Sequence, residues 1–565
     1  MARHRLRVIP TPARFAPFAI WLVLAAFALG GCRAAAETIA RELYLNLGVE
    51  PATLDPALAT DPGAQQVARM LFLSLVDTDP ATGAPQHALA NSWAVSPDGM
   101  IWEFKLRSDA VWVRFNPANN RVEVKRQVTA QDVVYGVRRV FDPRVGSGFA
   151  ATFAPLVRGA EQVRAADPKM ANEAAWQKLF ENLGVQAMDD ITVRFTLTRP
   201  ASYFPALVST WLVRTQPREA IEESGIVWTE PGKIWTTGPY LLERWSHGRE
   251  IVLLKNPHWY DAGAVQIQRI HLVMYDSATA LSEYRNGNLD SLDPYGGLAN
   301  SDWEILREDP VLGKHLHSVA TLCTHYYGFN TAKPPFNEVL VRKAFIAAID
   351  RETLASSVIK LGEPARWFTR PGIYASGDIS DTLGVPFNVN QARAYLRDAG
   401  YDNRTKRLPT ITLGVNSNDT HERIAETIVQ MWKNNLGVEV RVNKLDWKSY
   451  LPSLRDDAPQ MFRLGYCAYY PDAANFGGVF QARSADNFTR WSNPQFDQWI
   501  DAAAREVDLA KRRGLYRAAE KMLVEDQAII APLWWTTRLS LSRPTVHRTF
   551  AITDGYERFE TWSFQ

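Results

Sequence analysis

Apolar and polar residues alternate along 100–107 (Met-Ile-Trp-Glu-Phe-Lys-Leu-Arg) and again along 192–198 (Thr-Val-Arg-Phe-Thr-Leu-Thr). A period of two puts every second side chain on one face, so both segments predict half-buried strands. Between Glu338 and Leu354 the period lengthens. Val341, Ala344, Phe345, Ala348 and Ile349 fall on one stripe, which predicts an amphipathic helix. The fullest signal spans 409–442. Ile411, Leu413 and Val415 alternate as a strand; Asn418-Asp419-Thr420 offers capping oxygens; Ile424, Ile428, Met431 and Trp432 recur at helical spacing. Gly437 suits the left-handed residue that ends a helix, and Val438, Val440 and Val442 form a second strand. Strand, helix, strand predicts a parallel pair with a right-handed crossover, and so an α/β domain in the C-terminal half. Ligands of such units sit beyond the carboxyl ends of the strands, here near Asn416–His421 and Lys444–Trp447. No internal repeat is evident.

The N-terminus breaks this pattern. Arg3, Arg5, Arg7 and Arg14 stand without an acid, and an apolar run from Phe15 to Leu29 follows. The run is short for a spanning helix of ~20 residues but suits a secretory leader. Leu29-Gly30-Gly31-Cys32 looks like a lipobox, which predicts a leader over residues 1–31 and a lipid on Cys32. The expected product is exported and anchored by that lipid to a membrane, facing the periplasm or exterior, the outer membrane included. Cleavage removes four Arg and takes the net charge from +2 to −2, so the basic balance belongs to the precursor. A near-neutral chain without a basic tract argues against a nucleic-acid partner. At 565 residues the chain exceeds one core and predicts three or four domains. Nineteen Trp, nineteen Tyr and twenty-five Phe point to large cores or to an aromatic-lined cleft.

Catalytic signatures are missing. The chain has no HExxH, GxSxG, Walker-type or GxGxxG motif, and its ten His are scattered. Asp189-Asp190 and Asp456-Asp457 are adjacent carboxylates of the kind that solvated turns carry. Cys323 and Cys467 remain after the leader is removed; without CxxC or His at ligand spacing they make no metal site. An exported chain can hold a disulfide, which predicts a Cys323–Cys467 bridge; spacing alone does not exclude two buried thiols. No cofactor is expected. An exported, motif-poor α/β chain favours binding over catalysis.

An ordered set of short phrases then gives a resemblance. It begins with Pro51-Ala52-Thr53-Leu54-Asp55-Pro56, Ala88–Trp93, Ser96-Pro97-Asp98-Gly99 and Thr129-Ala130-Gln131-Asp132-Val133. It continues with Thr237-Gly238-Pro239-Tyr240, Asn256–Tyr260, Tyr284–Asp290, Lys333-Pro334-Pro335-Phe336 and Asn435-Leu436-Gly437-Val438. The sequence resembles the extracytoplasmic solute-binding proteins of family 5, receptors of ABC importers for oligopeptides, dipeptides and nickel. Leu322–Tyr327 and Arg463–Ala468 are most similar to the oligopeptide receptors. The resemblance implies a three-lobed α/β fold of the periplasmic-binding-protein type (type II, cluster C), in which two α/β lobes close on a cleft beside an extra lobe. Lobe I would be 37–72, 218–322 and 537–565, lobe II 73–217 and lobe III 323–536. It also implies a Cys323–Cys467 bridge, a monomer that touches the membrane only through its anchor, and an ABC permease as partner.

In such receptors an extended peptide pairs by backbone with strands of both lobes. The matching segments are Thr60–Gly63, with Thr60 and Asp61, and Gly465–Ala468, with Gly465 and Cys467. Phe149, Tyr326, His421, Trp447, Arg463 and Tyr466 fall where the family places ligand-lining groups. Tyr469 departs from the pattern. The family carries Asp there to pair the peptide α-ammonium, and a phenol is uncharged near neutral pH. Either another acid, such as Asp61, Asp293 or Asp472, takes the ammonium, or the ligand lacks a free amine: a blocked, cyclic or murein-derived peptide, or a non-peptide solute. A second departure is a longer loop through Arg114–Gln127 in the 112–128 segment. The rival class, an exported peptidase or amidase, finds no nucleophile–base pair or metal site in the sequence.

Overall fold

The computed structural model describes residues 42–565, apart from residues 171, 293–297, 299–301, 378–381, 402–405 and 551–555. The expected leader, the Cys32 anchor, residues 37–41 of lobe I and Asp293 lie outside the described residues.

The strands of the central sheet are β1 (Leu43–Asn46), β2 (Tyr240–Ser246), β3 (Glu250–Lys255), β4 (Arg269–Val273), β5 (Ser291–Leu292), β6 (Leu316–Phe329), β7 (Ile411–Asn416), β8 (Val440–Leu445), β9 (Met461–Cys467) and β10 (Ile530–Ser542). Hydrogen bonding orders them β2-β3-β4-β1-β5-β10-β6-β9-β7-β8, and Gly362–Pro364 adds a short strand to β10. β2, β3 and β4 form an antiparallel meander, and β1 runs parallel to β4 and β5. β6 is antiparallel to both β10 and β9, and β7 is parallel to β8 and β9. The helices used below are α1 (Pro62–Leu71), α2 (Val339–Ala347), α3 (Asp419–Leu436), α4 (Trp447–Asp457), α5 (Pro494–Arg505) and α6 (Leu509–Lys521).

β6 and β10 are the long members, with 14 and 13 residues. They pair in one register from Leu316↔Leu541 to Ala320↔Thr537, in a second at Thr324↔Trp535 and His325↔Trp534, and in a third from Tyr326↔Pro532. The irregularity at 321–323 interrupts the ladder, bends the pair locally, and falls where the sequence passes from expected lobe I to expected lobe III. On one side of this pair the sheet is built from residues 43–46 and 240–292, and on the other from 411–467.

The 409–442 unit forms as its pattern predicts. β7 and β8 are parallel, Asn418 caps α3 by accepting from Thr420 N and His421 N, and Gly437 ends it at φ 70°. Ile424, Ile428 and Trp432 pack with Ile411, Leu413 and Val415 in one apolar cluster. The two alternating segments form strands Ile101–Leu106 and Thr192–Thr196 of a separate four-stranded antiparallel sheet. Two expectations need correction. The 338–354 helix stops after Ala347, because Asp350 starts a new turn by accepting from Thr353 N at 3.1 Å; the predicted stripe is nonetheless buried. The 112–128 segment is a β-hairpin, Val111–Asn116 with Arg121–Gln127, rather than a loop. Its Arg126 holds Asp132 and Glu219, and its Val113 bridges Thr236. Among the described residues no helix is long and apolar enough to cross a membrane.

Candidate functional site

Arg463 lies on β9 and is only 6% exposed. Its Nη1 donates to Asn416 Oδ1 (3.1 Å) and its Nη2 to His325 Nδ1 (2.6 Å), while Nε is buried without a partner. Arginine can only donate, so Nδ1 of His325 is the unprotonated nitrogen and the imidazole is neutral. His325 stacks on Trp534 with centroids 4.3 Å apart and stands 6.1 Å from the His421 ring. Burial, then the Arg463 charge, holds His325 well below the ordinary imidazole range and takes His421 down to about 4. Burial alone lowers Arg463 to about 10. Among the described residues no carboxylate pairs with this guanidinium. A buried cation without a counter-ion is costly, and here it stands at the carboxyl end of β7 and beside the N-terminus of α3, whose dipole adds positive potential. The arrangement suits an anion. His325, His421, Asn418, Thr420 and Trp534 line a cavity of about 580 Å³ over it.

β9 also offers backbone. Its pairing with β7 ends at Gly414↔Phe462, while its pairing with β6 runs on to Cys323↔Cys467. From Arg463 to Cys467 one edge of β9 therefore has no strand partner among the described residues. Gly465 lies opposite His325, and a Cβ there would meet His325 Nδ1 at 2.9 Å, so only glycine lets the ring cover the strand. The Cys323–Cys467 disulfide ties β6 to β9 at this end.

Beyond it opens a second cavity, of about 620 Å³, lined by Phe149, Tyr203, Trp211, Tyr466, Tyr469 and Tyr470 among others. Phe149 meets Trp211 edge-on at 5.2 Å, and Tyr203 stacks on Tyr470 at 5.7 Å. Tyr466 donates its hydroxyl to Asn475, and Tyr469 is 48% exposed. Arg199, Arg483, Arg505, Asp486 and Asp501 add charge to the walls.

The predicted residues separate accordingly. Phe149, Tyr466 and Tyr469 share the aromatic cavity; His421 lines the other, with Arg463 behind it. Thr60 is exposed beside Gly148, next to Phe149, and Asp61 is committed to capping α1 through Ala64 N (2.7 Å). Asp472 is fully buried against Arg512, so it is not available to a ligand. Tyr326 lies in the core: strand alternation turns it away from His325, onto Phe368 and Phe480, at 1% exposure. Trp447 opens α4, is 51% exposed and lines neither cavity. His325, Trp534, Tyr203 and Asp486 were not singled out from sequence. The period-two placement of His325 opposite Gly465 is the signal that could have found the first.

The sequence profile of the bacterial extracellular solute-binding proteins, family 5 Middle, matches residues 84–488. The periplasmic oligopeptide-binding protein OppA of Escherichia coli (strain K12) is 32% identical over 541 residues, covering 93% of this chain and 94% of its own. The unliganded open form of MppA, a periplasmic murein tripeptide binding protein, superposes with a TM-score of 0.83 at 28% identity, covering 93% of this chain and 98% of that one. OppA of Haemophilus influenzae in complex with RPPGFSPFR superposes with a TM-score of 0.60 at 25% identity, covering 93% and 99%. The large mixed sheet and these superpositions give the multi-lobed periplasmic-binding fold that the resemblance implied. The chain belongs to the bacterial extracellular solute-binding proteins of family 5.

Proposed function

We propose that this chain is the substrate-binding receptor of an ABC importer, exported and held by a lipid on Cys32. It takes an oligopeptide-like ligand between lobes I and III, with the boundaries given above, and hands it to the permease. It works as a monomer and performs no covalent chemistry. The observation that carries this reading is Arg463, a buried guanidinium with no carboxylate partner among the described residues, beside a strand edge that no described strand pairs. A peptide carboxylate supplies the missing charge, and its backbone adds to the open edge of β9 whatever its side chains. Extended backbone spans about 3.3 Å per residue, so a tripeptide covers about 10 Å, the reach from Arg463 to Tyr466 along the strand.

Isothermal titration tests the reading. Tripeptides with a free carboxylate should bind, and their C-terminal amides should bind about 10- to 100-fold more weakly, as the loss of one charge-assisted hydrogen bond implies. Binding of sugars or metal chelates with no heat from peptides would overturn it. The half-exposed, uncharged Tyr469 favours a second reading, in which the ligand is a blocked or murein-derived peptide or another solute without a free amine. Native mass spectrometry of the protein as purified separates the two by the mass of the retained ligand.

A further inference from the structure

The aromatic cavity holds a carboxylate that no described residue answers. Asp486 lines it and is exposed, and its side chain makes no hydrogen bond or ion pair among the described residues. The other nearby acids are committed: Asp501 to Arg483 and Gln481, Asp472 to Arg512, Asp61 to the N-terminus of α1. The turn that presents Asp486 is fixed. Asn487 donates through Nδ2 to Phe480 O (3.1 Å) and Trp491 O (2.9 Å), and Phe488 N donates to Asp486 O (3.1 Å). A carboxylate held on a rigid turn has little freedom to lose when it takes a partner. Its field reaches the strand end, because the Asp486 charge contributes to the raised pKa of the Tyr466 phenol, after burial and Tyr469. Tyr466, Tyr469 and Phe149 line the same cavity, and aromatic rings attract a cation to their faces. Arg199 and Arg505 line the same cavity without a carboxylate partner among the described residues, and both repel a cation. Asp486 is thus the position in this cavity where a cation gains a partner.

We infer that Asp486 accepts the amino-terminal ammonium of the peptide ligand. The inference rests on the peptide-receptor reading above. It makes Asp486 a specificity-determining residue in a segment remote from Tyr469 in sequence, and it separates the two charged anchors of the ligand, Arg463 behind one cavity and Asp486 on the wall of the other.

The test is titration of tri-alanine and N-acetyl-tri-alanine into three proteins: the unaltered chain, D486N, and D486N combined with Y469D. The unaltered protein should prefer the free amine by about 10- to 100-fold. D486N should lose that preference while still binding the acetylated peptide, and Y469D added to it should restore a preference. Asp486 has no side-chain partner to lose among the described residues, so D486N should melt with the unaltered protein. Free-amine preference kept in D486N, or the two peptides bound equally by the unaltered protein, would overturn the inference alone. Failure of the unaltered protein to bind either peptide would overturn the receptor reading with it.

Discussion

Arg463 is a cation that the fold has removed from water with only neutral partners, Asn416 and His325. Two consequences follow from that chemistry. First, removing the guanidinium relieves an unpaired buried cation but leaves the buried acceptors Asn416 Oδ1 and His325 Nδ1 without their donor, at about 1–3 kcal/mol each. R463M should therefore still fold, with a modest shift in urea melts, while losing most of its affinity for carboxylate-bearing peptides; equal affinity would show that Arg463 faces no ligand. Second, His421 sits at about 4 because burial and Arg463 both oppose its charging. A bound carboxylate offsets Arg463 and moves that pKa back up. The bound state then holds more protons than the free state, so affinity should rise as pH falls from 7 to 5, with proton uptake at pH 5. Titrations in buffers of different ionisation enthalpy measure the uptake, and its absence would place the carboxylate elsewhere. At this scale family phrases point to Arg463, His421, Tyr466 and Tyr326 alike; that Tyr326 turns into the core depends on the neighbouring β9 and β10, and no local pattern records that. Asp486 carried no signal at all: an exposed Asp in a turn is ordinary until the cavity around it is known.

Among the elements, α6 carries a second buried charge site. Glu520 accepts from Phe368 N, Thr369 N and Thr369 Oγ1, and so ties the 368–369 segment to the helix. Phe368 in turn packs on Tyr326, Phe476 and Phe480 beneath the aromatic cavity. Burial pushes the Glu520 carboxyl up to about 7, against the lowering by those hydrogen bonds. The folded state then keeps a proton that the unfolded chain releases above about 4.5. The stability this group provides is complete below that pH and is lost as pH rises to 7 and beyond, on the order of 3 kcal/mol in all. His325 and His421, both lowered, act oppositely as pH falls below 6.5, so the comparison with E520Q isolates Glu520. Urea melts at pH 5 and pH 8 should show E520Q gaining on the unaltered protein at pH 8 only; a constant difference would contradict the assignment. The elements themselves were the most legible level. The 409–442 unit was readable because capping residues, helical spacing and a terminal glycine all agree. The 338–354 pattern over-ran its helix, because apolar spacing continues through a break that Asp350 makes by its own side-chain bond. The hairpin at 111–127 was missed as structure because it was judged by its departure from a family phrase rather than by its own alternation.

For the whole molecule, the decisive feature is that residues far apart in sequence share one sheet, joined through β6 and β10. Length alone suggested three or four domains and could not show that 43–46, 240–292 and 530–542 lie side by side. The resemblance implies three lobes, and the register change at 321–323 falls at the expected boundary between lobes I and III. The +2 of the full chain is set by the four Arg that precede Phe15 and says nothing about the ligand. The central claim is that the cleft holds a peptide by its two charged ends. Electron density in the cleft of crystals grown from protein never stripped of ligand tests it most directly. We predict an extended chain along β9, its carboxylate toward Arg463 and its ammonium at Asp486. Density for a compact non-peptide solute, or a chain whose termini meet neither residue, would contradict it.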